Sequence, residues 1–196
     1  MSRIICRFCG VHYLRSLVAA SLNFRALPGL PGTGPLPHQF SASGLGMHSE
    51  GYVVEFTVSS AECWIGNFQP GLTSLYQVFE EPSTGEITVI AGGQAYVVEP
   101  ATGHLLREYG GSIEWAYPLS QLEAVLISNG LWFELRRGAE QLWRTRRLSW
   151  DGMQNITAAA GLIRGEGWNY LGSWHPFEVE LSTGNASGGG YDGPEI

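Results

Sequence analysis

Apolar and polar residues alternate along most of this chain from Tyr52 onward. In Tyr52-Val53-Val54-Glu55-Phe56-Thr57-Val58, the set Tyr52, Val54, Phe56 and Val58 shares one face. A period of two predicts a strand with one side buried. The stretch Leu75–Gly111 carries the pattern further, because it is one short unit written twice. Glu81-Pro82, Thr84-Gly85 and Gly92-Gly93 recur as Glu99-Pro100, Thr102-Gly103 and Gly110-Gly111, a spacing of 18. The unit predicts strands near 74–80, 86–91, 94–99 and 104–109. Gly85 and Gly103 close tight turns, and Pro82 and Pro100 stand at strand ends, where a missing N–H costs the ladder nothing. Ala95-Tyr96-Val97-Val98 is apolar on both faces and predicts an inner strand.

The alternation continues. Strands are expected over 112–117, 122–128, 131–136, 140–148, 167–174 and 176–181, with Asn129-Gly130 as the strongest hairpin signal. Ile156–Gly161 alone has a helical flavour. Cys63 reads as a small buried hydrophobe before the Pro70-Gly71 turn. The fold class is therefore all-β: an antiparallel meander of about ten short strands, arranged as propeller-like blades, an open barrel or a sandwich.

Residues 1–46 differ in kind. They hold four Arg and no acid, then Pro28, Pro31, Pro35 and Pro37 in a stretch without periodicity, so they are expected to be a disordered or mis-assigned segment before a single domain at 47–193. Cys6-Arg7-Phe8-Cys9 with His12 is half of a zinc knuckle, but a second Cys pair is missing, so no metal is expected. Residues 47–196 carry all 18 acids against seven Arg, a net of −11. That charge argues against nucleic acid and anionic membranes as partners. No apolar run reaches the length of a membrane span, and three Cys are too few for a disulfide scaffold, so a cytoplasmic location is expected.

Val97–Arg107, with its Glu99-Pro100-Ala101-Thr102-Gly103 turn, resembles the blade repeat of quinoprotein-like β-propellers, in which a strand runs into an Asp-x-x-Thr-Gly turn. Phe177–Gly184 is similar, and Phe133–Gly138 is a shorter version. The resemblance spans residues 75–184. Glu replaces the Asp, and the Trp that follows the Gly in that family is absent. It implies an architecture and carries no activity or cofactor residue with it.

The candidate chemistry is thin. The five His are scattered, and neither a serine elbow nor a phosphate loop is present. The carboxylates Glu80, Glu81, Glu178 and Glu180 could act as an acid–base pair only if folding brought two of them together. Arg136, Arg137, Arg144, Arg146 and Arg147 form one basic cluster interleaved with Trp132, Trp143 and Trp150, in a chain with seven Trp. Guanidinium and aromatic groups together suit recognition. The expected function is thus a non-enzymatic binding or interaction protein without a cofactor, taking a protein or small ligand, with oligomerisation open. Its candidate residues are Trp132, Trp143, Arg144, Arg146, Trp174 and His175. Two alternatives stand beside it: a small hydrolase or isomerase built on carboxylates and His175, and a carbohydrate-binding module with coplanar exposed Trp.

Overall fold

A computed structural model describes residues 23–42, 49–59 and 62–194. Among these the chain is all-β, in four four-stranded sheets, none of them closed. The first sheet combines β1 (Asn23–Ala26), β2 (His38–Phe40), β3 (Tyr52–Thr57) and β4 (Cys63–Phe68). The second is β5 (Gln77–Glu80), β6 (Ile87–Ala91), β7 (Gln94–Val98) and β8 (Leu105–Gly110). The third is β9 (Trp115–Leu119), β10 (Ala124–Ser128), β11 (Phe133–Arg137) and β12 (Glu140–Arg144). The fourth is β13 (Met153–Ala159), β14 (Leu162–Trp168), β15 (Trp174–Glu180) and β16 (Ala186–Gly188). The last three are plain meanders in which each strand pairs antiparallel with the next.

Period-two alternation explains how the sheets pack. On β6, Ile87 and Val89 face the first sheet and join Val54, Phe56, Trp64 and Phe68 in one core. Ile90 of the same strand faces the other way, with Ala95, and meets Val125 and Ile127 of the third sheet and Ile113 of the connection leading into it. On β10, Leu126 points opposite to Val125 and packs with Phe133, Ile163, Phe177 and Val179 between the third and fourth sheets. Inner strands such as β7 and β10 are thus buried on both faces, as an apolar run without alternation requires. The sheets stack in chain order, and three cores tie each to the next. Burying one Phe or Leu in such a core contributes about 1.5–3 kcal/mol.

The duplicated unit becomes one sheet, its two copies forming the hairpins β5–β6 and β7–β8. Its turns are alike. The Gly85 N–H donates to the Glu81 carbonyl (2.9 Å) and the Gly103 N–H to the Glu99 carbonyl (2.9 Å). The fourth sheet repeats the form, with the Gly184 N–H on the Glu180 carbonyl (2.8 Å).

Several expectations change. The sheets begin before Met47: β1 pairs with β3, β2 runs parallel to β4, and Phe40 lies in the first core, stacked on Phe68 at 4.5 Å. Two strands this short leave no readable period inside a Pro-rich stretch. The knuckle residues Cys6, Cys9 and His12 lie outside the described residues. The described residues hold sixteen strands, where about ten were expected. Ile156–Ala159 belongs to β13 instead of a helical turn. A bulge between Gln154 and Thr157 shifts the register there, so the partly buried Met153 and Ile156 fall three apart and imitate helical spacing. Residues 169–173 are a loop, not a strand, because the Asn169 side chain accepts the N–H groups of Leu171 (3.0 Å) and Ser173 (3.1 Å). Cys63, expected to be buried, is exposed at the start of β4.

Candidate functional site

A cleft of about 210 Å³ opens between the second and third sheets. Its third-sheet side follows from alternation on β11. Phe133 and Leu135 turn into the core with the fourth sheet, which leaves Glu134 and Arg136 to face the second sheet. Arg144 lies opposite Glu134 on β12. Trp132 stands just before β11, where the Asn129-Gly130 turn fixes it: Asn129 Oδ1 accepts the N–H of Leu131 (3.1 Å) and that of Trp132 (3.3 Å). Gly130 holds φ at +80°, which an L side chain resists. From the second sheet comes Tyr109 at the end of β8. Ile113 and Ile127 supply apolar wall, and Ser112, Ser128 and Asn129 polar rim.

Two guanidinium groups dominate the electrostatics. Arg144 lies over the Trp132 ring, 5.2 Å from its centroid. Arg136 lies over the Tyr109 ring at 4.7 Å, pairs with Glu134 through Nη1, and donates to the Ala139 carbonyl from Nη2 (3.1 Å). Among the described residues no carboxylate or carbonyl pairs with Arg144, so its donors are unspent. The other members of the basic cluster are committed elsewhere. Arg137 donates to the Leu122 carbonyl (3.0 Å), and Arg147 to those of Ser149 and Trp150 (2.8 Å each).

Behind the cleft the seam between the two sheets is polar and closed. Glu81 is 3% exposed, and its carboxylate accepts the Thr88 hydroxyl at 2.5 Å. Burial pushes the Glu81 carboxyl above its ordinary value, while the Thr88 hydrogen bond, Arg107 and Arg136 pull the other way. Burial likewise pushes the Tyr109 phenol up, helped by Glu81. Arg107 reaches Glu86 at 2.6 Å. Among the described residues, the buried side-chain atoms without a hydrogen-bond partner are Ser83 Oγ, Nε and Nη2 of Arg107, and Nε of Arg136. All belong to the second and third sheets and the turn between β5 and β6.

The six candidate residues fall in three places. Trp132 and Arg144 line the cleft. Trp143 and Arg146 hold the third sheet to the fourth: Trp143 Nε1–H donates to the Leu181 carbonyl (3.1 Å), and Arg146 Nη2 donates to that of Gly188 (2.5 Å). Trp174 and His175 start β15. Trp174 is exposed and meets Trp168 edge-on at 5.0 Å, while His175 Nε2 faces the Asn169 amide (2.8 Å) and the Ser173 hydroxyl (3.0 Å), both neutral. Of the carboxylates, Glu81 bonds Thr88, and Glu178 pairs with Arg164 at 2.8 Å and shares a second, shallower pocket with Glu180. Tyr109, Glu134 and Arg136 complete the cleft and were outside the candidate set. The alternation Phe133-Glu134-Leu135-Arg136 already placed two of them on one face; that Tyr109 meets them is a matter of which sheet stacks on which.

Among the described residues no cluster of three His, Cys, Asp or Glu could hold a metal, and no helix is long and apolar enough to cross a membrane. No protein-family model matches the chain, and no curated protein or solved structure matches it either. The site is therefore read from its own groups. Two cations, one paired carboxylate, an indole and a phenol can grip a ligand. Neither an arginine nor a phenol with a raised pKa is a base at neutral pH.

Proposed function

We propose that this protein is a binding domain whose ligand sits in the cleft between the second and third sheets, against Trp132 and Arg144. The observation that supports this is Arg144 itself. Among the described residues it has no ion pair, and it is stacked on an indole in a cleft that holds a second arginine. Aromatic and Arg side chains in such a setting give large contact area and directional donors at low entropic cost. The test is a fragment screen on the full chain by thermal shift, repeated on W132F and R144Q. Hits that stabilise the wild type and lose most of that effect in both variants, with each variant still folded, are the expected result. Hits indifferent to both substitutions place binding elsewhere and overturn the reading.

Four four-stranded sheets stacked in chain order, the last three of them meanders, also support treating the sheets as propeller-type blades, the architecture that the Thr-Gly turns suggested. The carbohydrate reading has less support. Its flat platform needs two or three coplanar exposed Trp, whereas Trp168 and Trp174 meet at 64°, Trp150 and Tyr170 at 79°, and the near-parallel pair Trp115–Tyr117, at 11°, holds a single Trp.

A further inference from the structure

We infer that the ligand of this cleft is a small carboxylic acid with an apolar body, bound as a monoanion with its carboxylate on Arg144 and its body between Trp132, Ile113 and Ile127. The inference rests on the proposed reading of the cleft as a binding site and adds the chemical class.

Charge comes first. The lining holds Arg136 and Arg144 against Glu134, a net of +1, in a chain whose formal net charge is −7. A locally positive cleft in an acidic protein draws in an anion, and one surplus charge balances one carboxylate. Donor geometry agrees. A guanidinium donates in its own plane, and Tyr109 covers one face of Arg136. Within that plane Glu134 takes Nη1, the Ala139 carbonyl takes Nη2 and Nε is buried, so Arg136 lends the cleft its charge and not a free donor. Arg144 offers its whole fork, the shape that matches a carboxylate through two parallel hydrogen bonds. The walls decide what carries the carboxylate. Ile113, Ile127 and the rings of Tyr109 and Trp132 give an inorganic anion nothing to bond, but they bury an alkyl or aryl group. The volume, about 210 Å³, is below the usual range for a drug-sized molecule, which limits the body to one ring or a short chain.

The test uses the full chain labelled with ¹⁵N and read through its indole N–H signals, with W132F identifying that of Trp132. It is titrated at millimolar concentrations with phenylacetate, benzoate and hexanoate, with their uncharged amides, with the matching amines, and with inorganic phosphate. The expected result is a saturable shift of the Trp132 signal by at least one carboxylate, about tenfold weaker for its amide and about tenfold weaker in R144Q, the loss of one charge-assisted hydrogen bond. Amides or amines that bind as tightly overturn the class while leaving the cleft as a binding site. Phosphate alone shifting the signal overturns the apolar body. An undiminished response in a folded R144Q removes Arg144 from the site. No shift of Trp132 by any set overturns both this inference and the reading beneath it.

Discussion

At the scale of single residues, two tryptophans act as clamps between sheets. Trp64 of the first sheet donates from Nε1 to the Pro100 carbonyl (2.9 Å), in the Thr-Gly turn of the second sheet, and Trp143 of the third does the same to Leu181 in the turn of the fourth. Each indole lies against the glycine that closes the turn it clamps. A Cβ on Gly103 would come within 3.0 Å of Trp64, and one on Gly184 within 2.7 Å of Trp143, at φ +68° and +75°. Gly152 has φ +79° and nothing within 4 Å. G152A should therefore cost only the backbone strain, about 1 kcal/mol, and G184A about 3 kcal/mol once displacement of the indole is added. Urea unfolding of both variants checks the order, and equal costs would show that the indole yields freely. The turns themselves were legible as Thr-Gly repeats. The clamps were not, because the indole and its turn are 36 residues apart in one case and 38 in the other. Buried Glu81 gives a second prediction at this scale. Its folded pKa is raised, so between its ordinary and its raised value the folded state binds more protons than the unfolded one. Its contribution to stability is full below that window and falls as pH rises through it. E81Q mimics the protonated acid without titrating. The stability of E81Q relative to wild type should accordingly rise between about pH 4.5 and about pH 7.5, as measured by urea unfolding at both.

At the scale of elements, the strands best read from sequence were those with clean alternation and buried neighbours, such as β3, β6, β7 and β10. Those missed were short, bulged or recruited from a distance. Proline shows how position outweighs residue type. Pro118 reads as a breaker, yet it lies within β9, an edge strand that can spare a donor. Pro176 lies within β15, and its carbonyl accepts the N–H of Gly189, beyond the end of β16 at Gly188. Its carbonyl and ring nitrogen point to the same side in an antiparallel strand, so the missing N–H falls past the end of β16. The first sheet carries the larger consequence. Its hairpin β3–β4 is completed on one edge by β1 and on the other by β2, both from the segment that composition assigns to a linker. Phe40 is 4% exposed and packs against Trp64, Phe68 and Tyr96. F40A should cost about 3–5 kcal/mol. A chain starting at Met47 loses both edge strands as well and should be less stable than F40A. Denaturant midpoints for the three proteins decide this, and a truncated chain as stable as the full one would show that β1 and β2 contribute nothing to the fold.

At the scale of the whole molecule, the stack has a direction. The first core joins only the first and second sheets, the second core the second and third, and the third core the third and fourth. An architecture whose parts touch only their neighbours behaves as a one-dimensional array, in which a local defect loosens the adjoining interface before the distant ones. Phe177 is 4% exposed in the third core, and Phe56 is fully buried in the first. Each Phe→Ala change should cost about 3–5 kcal/mol globally, yet their local effects should differ. F177A should speed amide exchange in β9–β16 and leave β3 and β4 near wild type; F56A should do the reverse. The cleft draws on β8, β11 and β12, so its third-sheet side should lose protection in F177A and its second-sheet side in F56A. Peptide-level hydrogen exchange by mass spectrometry reads all three regions at once. Uniform acceleration in either variant would mean that the four sheets unfold as one unit, with the neighbour cores coupled through the clamps at Trp64 and Trp143. Graded acceleration would show that the cores open separately, with the cleft, set between the second and third sheets, sensitive to a defect on either side.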